Sequence, residues 1–365
     1  IMFNNYTLND VSQIETPEFL IFESKVESNI HSIISLVGDK KRLVPHAKTH
    51  KSKQILNKLI KNGITRHKTS TLNELEVLAE CEPEELILAY PISSIKKIER
   101  LQKIINKFPK TKFSTIASNN FHLNLLKDLN GLNGVYIDLD TGMNRTGIIV
   151  DKIDDFLIQI FKYENINVLG IHAYDGHMHG KTDIEERKLE SKKTLDDIRL
   201  LEKKLLHQYS LKNCEIIVGG SWSFHFYIEE EDMKLSPGTW IYWDASNNKQ
   251  KELDFTIAGV VLGQVIDENK SNDTVTVDIG AKAISSDPVT ENRFVLVDKP
   301  KSKLIFQNEE HGIVKLNGES LNLGDYVLAQ PGHACTVSPK YSRALIVNDD
   351  GIISGEIKID ARDRV

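Results

Sequence analysis

One alternation governs the chain from Lys41 to Asp244. Short β-branched or apolar runs trade places with longer charged stretches whose apolar residues fall at helical spacing. The strand-like runs are "KRLVPHAK", "GITRHKTS", "EELILAYP", "TKFSTIAS", "GVYIDLDTG", "NVLGIHAYDG", "CEIIVGGS" and "KLSPGTWIYWD". Between them lie amphipathic segments such as "TLNELEVLAEC", "IKKIERLQKIINKF" and "EERKLESKKTLDDIRLLEKKLLHQY", the last read as a solvated face. Eight strand–helix repeats within roughly 200–250 residues meet the requirement of an α/β (β/α)8 TIM-type barrel. A doubly wound sheet is the rival, but its G-x-G-x-x-G phosphate turn after the first strand is missing.

After Asn247 the texture changes to short alternating runs separated by Gly, Asn, Asp and Pro turns, as in "FTIAGVVLGQVI", "DTVTVDIGAKAI", "GDYVLAQPGH" and "YSRALIVND". That is the pattern of an all-β module. The expected organisation is a barrel over residues 18–246 and a C-terminal all-β domain over 247–365, joined by residues 1–17. The extended "ETPEFLIFES" near the start is a candidate to pair with that module.

Composition narrows the class. Of 365 residues, 40% are hydrophobic and 27% charged, so a sizeable core is expected. The net charge of −6 argues against a nucleic-acid binder, which would carry a basic face. No apolar run is long enough to span a bilayer, and "IMFNNYTLND" lacks the basic-then-apolar order of a signal peptide. Cys81, Cys214 and Cys335 are odd in number and widely spaced, which fits a reducing compartment. A cytoplasmic protein without membrane or nucleic-acid partners is expected.

Barrel active sites lie at the C-terminal ends of the strands. Those ends hold His46, Lys48 and His50; Arg66, His67 and Lys68; Tyr90; Ser118; Asp140 and Arg145; Tyr174 and His177; Gly219, Gly220 and Ser221; and Pro237, Gly238 and Thr239. Taken alone "GGS" reads as a tight turn, but together with "SPGT" it falls where barrels often build a phosphate site from backbone N–H groups, and the two turns point to a phosphorylated ligand. Lys48 is a surface cation, a substrate clamp or a nucleophile. Positive neighbours at His46, His50 and Lys51 favour its free amine. A free lysine amine near a phosphate site suggests a Schiff base with pyridoxal phosphate.

"PHAKTHK", "LAYPI", "DTGMNRTG", "YDGH", "GGS", "SPGTW", "DIGAKAISSD", "EEHG" and "PGHAC" occur in an order that resembles the D-threonine aldolase and D-serine dehydratase family. These are fold-type III pyridoxal-phosphate enzymes related to alanine racemase. The resemblance covers nearly the whole chain. It implies pyridoxal 5'-phosphate as a Schiff base on Lys48, with Arg145 approaching the pyridine nitrogen. It further implies Tyr174, Gly219, Gly220, Ser221 and Thr239 near the phosphate or ring, and a homodimer with a shared active site. Two positions depart from the family pattern: Val44 stands where an arginine is common, and Trp240 where a tyrosine is usual.

His333 and Cys335 lie two apart on one side of an extended segment, and imidazole and thiolate suit zinc. Two ligands are fewer than a protein zinc site ordinarily provides, so by spacing alone the pair reads as a buried cysteine beside an incidental histidine. The resemblance implies that the pair holds zinc or another divalent metal, with positions open to water and substrate. Aldolase members more often have H-x-D, so Cys335 points to the dehydratase side. A histidine that aldolases tend to carry after the YDGH motif is Gly180 here, with His177 and His179 nearby as substitutes, and His177 and His311 are expected to face the site. The implied activity is dehydration of a small D-3-hydroxy amino acid such as D-serine to a 2-oxo acid and ammonia. Lys48 would be the base and His177 a further catalytic residue. D-threonine aldolase activity is the alternative and an amino-acid racemase a weaker one. A non-enzymatic cofactor-binding protein is disfavoured, because the short single-barrel proteins of that kind lack the β domain.

Overall fold

The computed structural model describes residues 2–365. Two short strands, β1 (Met2–Phe3) and β2 (Tyr6–Thr7), pair antiparallel, and β3 (Glu18–Phe22) follows. Helices α1 (Glu23–Val37) and α2 (Lys53–Lys61) precede β4 (Arg66–Thr69). Strand and helix then alternate: α3 (Leu72–Ala79), β5 (Glu85–Leu88), α4 (Ile95–Lys107), β6 (Lys112–Ala117), α5 (Asn120–Leu126), β7 (Gly134–Leu139), α6 (Asp154–Ile160), β8 (Val168–Ala173), α7 (Ile184–His207), β9 (Glu215–Val218) and β10 (Met233–Leu235). Polar side chains start the helices by accepting otherwise orphaned backbone N–H groups. Thr71 caps α3 through Glu74 N, Ser94 caps α4 through Lys97 N, and Asn119 caps α5 through His122 N.

Strands β4 to β10 form one seven-stranded parallel sheet in chain order. The expected first strand, "KRLVPHAK", is not a ladder strand. It makes one parallel bridge at each sheet edge, Leu43 to Leu235 and His46 to Lys68, and Pro45 between them has no N–H to give. The sheet is thus seven strands and a bridging segment, where eight regular strands were expected. Likewise the expected strand "KLSPGTWIYWD" is cut to three residues before Pro237. Val44, Ile87, Ile116, Tyr136 and Ile217 form an apolar cluster among the strands, and a larger cluster under α3 and α4 includes Leu75, Leu78, Leu86, Leu101 and Phe113.

Arg66 opens β4 and so lies at the N-terminal end of the sheet, away from the strand ends to which the sequence pattern assigned it. There Nη2 pairs with Glu215 at 2.6 Å and Nε with Glu85 at 2.7 Å, and Tyr136 donates to Glu215 at 2.6 Å. This is a buried polar plug rather than part of a site. The charged helix α7 is also less fully solvated than its composition suggests. Arg187 is wholly buried, its guanidinium 5.5 Å from the rings of Trp222 and Phe226.

The chain forms two compact units, one comprising Leu36–Lys48 and Leu56–Gly238 with the last two residues. The other comprises Thr239–Asp363, Thr49–Ile55 and the N-terminal stretch ending at Ser35. Its sheet contains β11 (Gly259–Asn269), β12 (Thr274–Val277), β13 (Phe294–Leu296), β14 (Lys303–Gln307), β15 (Gly312–Lys315), β16 (Tyr326–Pro331), β17 (Arg343–Val347) and β18 (Ile353–Lys358). Strand β3, from "ETPEFLIFES", is built into this sheet, antiparallel to β11 and parallel to β17. Among the described residues no helix is long and apolar enough to cross a membrane.

Candidate active site

The parallel-sheet unit gathers its cations around one ring. Tyr174 follows β8, and its ring centroid lies 5.9 Å from Lys48 Nζ, 5.9 Å from Lys68 Nζ and 5.2 Å from the Arg145 guanidinium carbon. Two glycines seat that ring. A Cβ on Gly220 would lie 2.8 Å from Tyr174 Cε2, and one on Gly176 would lie 2.7 Å from Cζ. Arg145 sits on a loop shaped by Asp140, whose Oδ1 accepts the N–H groups of Gly142 and Asn144 at 3.0 and 3.1 Å.

Lys48 lies in the 3-10 turn Ala47–Thr49. The flanking histidines brace the backbone here. Nδ1 of His46 accepts the Lys48 N–H at 3.3 Å, and Nδ1 of His50 accepts the Ser52 N–H at 3.1 Å. Lys68, one of the strand-end residues, is the charged neighbour whose partners the sequence does not reveal. Its Nζ is buried and 3.1 Å from His172 Nε2, while His172 Nδ1 is 2.7 Å from Asp138 Oδ1. Burial first, then the positive charges of Lys48 and Arg145, pull Lys68 down to about 7 against the pull of Asp138 and Asp175. Burial, aided by Lys68, also lowers His172. Asp138 and His172 are register partners on the adjacent parallel strands β7 and β8, whereas Lys68 comes from β4 at the sheet edge and belongs to neither strand's ladder.

The Gly219–Ser221 turn is held from beneath. Gly220 N–H donates to Ser223 Oγ at 3.0 Å, Ser223 Oγ donates to Asp175 at 2.5 Å, and Tyr227 donates to the other carboxylate oxygen at 2.6 Å. Burial raises Asp175 despite these bonds. Ser221 Oγ accepts the Gly238 N–H at 3.3 Å, so the two small-residue turns are tied together. His177 packs on Gly142, its Nε2 3.8 Å from Glu190, and neither ring nitrogen has a hydrogen-bond partner among the described residues. His179 is exposed, 5.6 Å from the Trp222 ring, and His311 is exposed in the turn between β14 and β15.

In the other unit, His333 and Cys335 follow β16 and interact with each other. His333 Nδ1 is 2.5 Å from Asp287 Oδ2, and Thr336 donates to the other oxygen at 2.8 Å. Burial alone would lower His333; Asp287 and Cys335 outweigh it and push it up to about 11. Cys335 Sγ lies 3.0 Å from Thr49 Oγ1 and 3.6 Å from Thr239 Oγ1, so Thr239 is brought to the cysteine. Buried Asp244 fixes the loop by accepting the Ala334 N–H at 3.0 Å. Among the described residues no group of three or more His, Cys, Asp or Glu side chains is arranged to hold a metal.

Residues 21–245 match the family model described as the alanine racemase N-terminal domain, more than half of the chain. The chain belongs to the alanine racemase-like family. Residues 258–347 of this family member match a second model, described as a putative serine dehydratase domain. No curated protein sequence matches it. Among solved structures it is similar to D-threonine aldolase from Filomicrobium marinum, with a TM-score of 0.88, 21% identity and 97% of each chain covered. It is similar to an alanine racemase-like protein from Idiomarina loihiensis, with a TM-score of 0.82, 21% identity and 97% and 99% covered. It is also similar to D-threo-3-hydroxyaspartate dehydratase from Delftia sp. HT23, with a TM-score of 0.81, 17% identity and 95% and 98% covered. At these identities the likeness shows the fold.

The donors of this alanine racemase-like chain fit the groups its sequence implies. Three cations around one aromatic ring, beside a glycine turn, suit an anionic aromatic cofactor that condenses with an amine. The His333–Cys335 pair supplies an imidazole and a thiolate, donor types that suit zinc, but two donors are one short of the three protein ligands an open zinc site ordinarily has.

Proposed function

We propose that this protein is a pyridoxal-phosphate-dependent lyase of D-3-hydroxy amino acids, a zinc-assisted dehydratase acting on substrates such as D-serine. The observation that carries the reading is the convergence of Lys48, Lys68 and Arg145 on Tyr174 at the strand ends of an alanine racemase-type sheet. Leu43–His46 is read as the eighth stave of a TIM-type barrel, because it bridges both sheet edges. Residues 18–246 are assigned to cofactor binding and 247–365 to the metal pair. A homodimer is in keeping with exposed Val289, Val295, Ile305 and Phe306 on the β-rich unit.

In this reading Lys48 is the amine that carries the cofactor and, once displaced by substrate, accepts the α-proton at Nζ. Arg145 would serve the pyridine nitrogen and, being unable to give up its proton, would leave that nitrogen unprotonated. The Gly219–Ser221 turn would hold the phosphate, and Asp175 with Ser223 keeps the turn in place. When bound, pyridoxal phosphate supplies the electron sink for the pair left at the α-carbon. His333 and Cys335 would hold a divalent metal ion, which supplies Lewis acidity toward the β-hydroxyl. A metal in this scaffold has a parallel in a variant of a D-threo-3-hydroxyaspartate dehydratase that was solved in a metal-free form.

The likeness to the Filomicrobium aldolase favours a second reading, cleavage to glycine and an aldehyde. Incubation of the cofactor- and zinc-loaded protein with D-threonine separates the two. 2-Oxobutyrate and ammonia are expected; glycine and acetaldehyde would replace the dehydratase with the aldolase.

A further inference from the structure

A buried lysine is ordinarily paired with a carboxylate. Lys68 is 3% exposed, and its ammonium is instead bonded to an imidazole, with the carboxylate one ring further on. The protons of this chain can be placed. Asp138 can only accept, so His172 carries its proton on Nδ1 and presents the Nε2 lone pair to Lys68. The remaining protons of the ammonium are unassigned by that bond, and Nζ stands as near the Tyr174 ring as Lys48 does. The two lysines differ in how they are held. Lys48 is half-exposed on a 3-10 turn, as suits an amine that swings between partners. Lys68 is fixed from behind by His172, as suits a donor of constant position.

Resting on the lyase reading above, we propose that Lys68 is a second catalytic lysine, the group that gives a proton to the oxygen leaving the β-carbon, with His172 and Asp138 positioning it. Elimination moves one proton off the α-carbon and one onto that oxygen. Lys48 takes the first. As the C–O bond breaks, its electron pair goes to oxygen, an N–H bond of Lys68 breaks, and water departs while Lys68 is left as the amine. Lys48 then holds one proton more and Lys68 one fewer, and a single transfer between them restores both. The groups facing Lys68 are His172, Asp138, Asp175, Lys48 and Arg145; burial first, then Lys48 and Arg145, bring it toward neutrality against Asp138 and Asp175, so that it can both give and regain a proton.

The test uses the cofactor- and zinc-loaded enzyme with D-threonine deuterated at the α-carbon. Lys68→Arg keeps the charge but cannot release a proton, and Lys68→Met keeps the length. In both, cofactor absorption and washout of the α-deuterium should persist while 2-oxobutyrate formation falls at least about 100-fold. Turnover by Lys68→Arg at the wild-type rate, or loss of deuterium washout together with turnover, overturns the assignment and leaves the lyase reading standing. A wild-type protein without cofactor absorption overturns both. A second readout needs no turnover. With 13C-labelled lysine, one Cε resonance absent from Lys68→Arg should titrate near neutrality, and at lower pH in Asp138→Asn, which removes the negative charge favouring the ammonium. Titration of that resonance in the ordinary lysine range overturns the proposal.

Discussion

His333 Nδ1 is committed to Asp287, 2.5 Å from Oδ2, so Nε2 is the ring nitrogen through which His333 would ligate a metal. Thr336 donates to the other oxygen of the same carboxylate. A carboxylate behind a ligating histidine fixes the tautomer and the ring orientation. Asp287→Ala is therefore expected to weaken cobalt(II) binding about 10–100-fold. The Cys335 thiolate-to-cobalt band, followed in a titration, measures this, and cofactor absorption should be unchanged. Unaltered cobalt affinity would reduce Asp287 to a loop contact.

Lys48→Ala should abolish the visible absorption of the lysine-bound cofactor and restore it only partly with added amine. Lys48 and Lys68 stand equally far from the Tyr174 ring, so the spectrum also decides which of the two carries the cofactor. Persistence of the band in Lys48→Ala, with its loss in Lys68→Met, would exchange their roles.

The strand–helix alternation was legible because the apolar runs end at turn signals and several helices carry their own caps, as with Thr71 and Asn119. What failed to read was where proline interrupts a ladder, at Pro45 and Pro237, because an apolar run looks the same whether or not its N–H groups are available. The partner of β3 was a guess, since register is set by strands far away in sequence. Lys48, Arg145 and Tyr174 were legible as motif residues. The Lys68–His172–Asp138 chain was not, because its members come from three strands, and while β7 and β8 pair directly, Lys68 reaches His172 from β4, a strand that does not pair with either.

Gly176→Ala puts a methyl group 2.7 Å from both Tyr174 Cζ and Met143 Sδ. The ring must move, and overpacking of this kind costs about 1–3 kcal/mol. The expected outcome is an unfolding free energy lowered by that amount together with weaker cofactor binding, since the ring beside Arg145 is displaced. Fluorescence-monitored unfolding and a cofactor titration check the two effects separately. Stability lost without loss of cofactor affinity would detach Tyr174 from the cofactor.

His67 sets a limit on acid stability. Wholly buried in β4, its Nε2–H donates to the Ile64 carbonyl at 2.9 Å, and burial lowers its pKa from 6.5 to about 4. Between those values the unfolded chain binds a proton that the folded chain refuses, so stability rises with pH across the interval and falls as pH drops through it. At about 1.4 kcal/mol per pH unit, this one residue should remove about 3 kcal/mol between pH 7 and pH 4. Other buried groups titrate too, so the quantity to measure is the difference from His67→Gln, whose amide can still donate to Ile64. The variant should be less stable than wild type or equal to it at pH 7 and gain on it steadily toward pH 4. Parallel urea midpoints for the two proteins across that range would show that His67 is protonated in the fold.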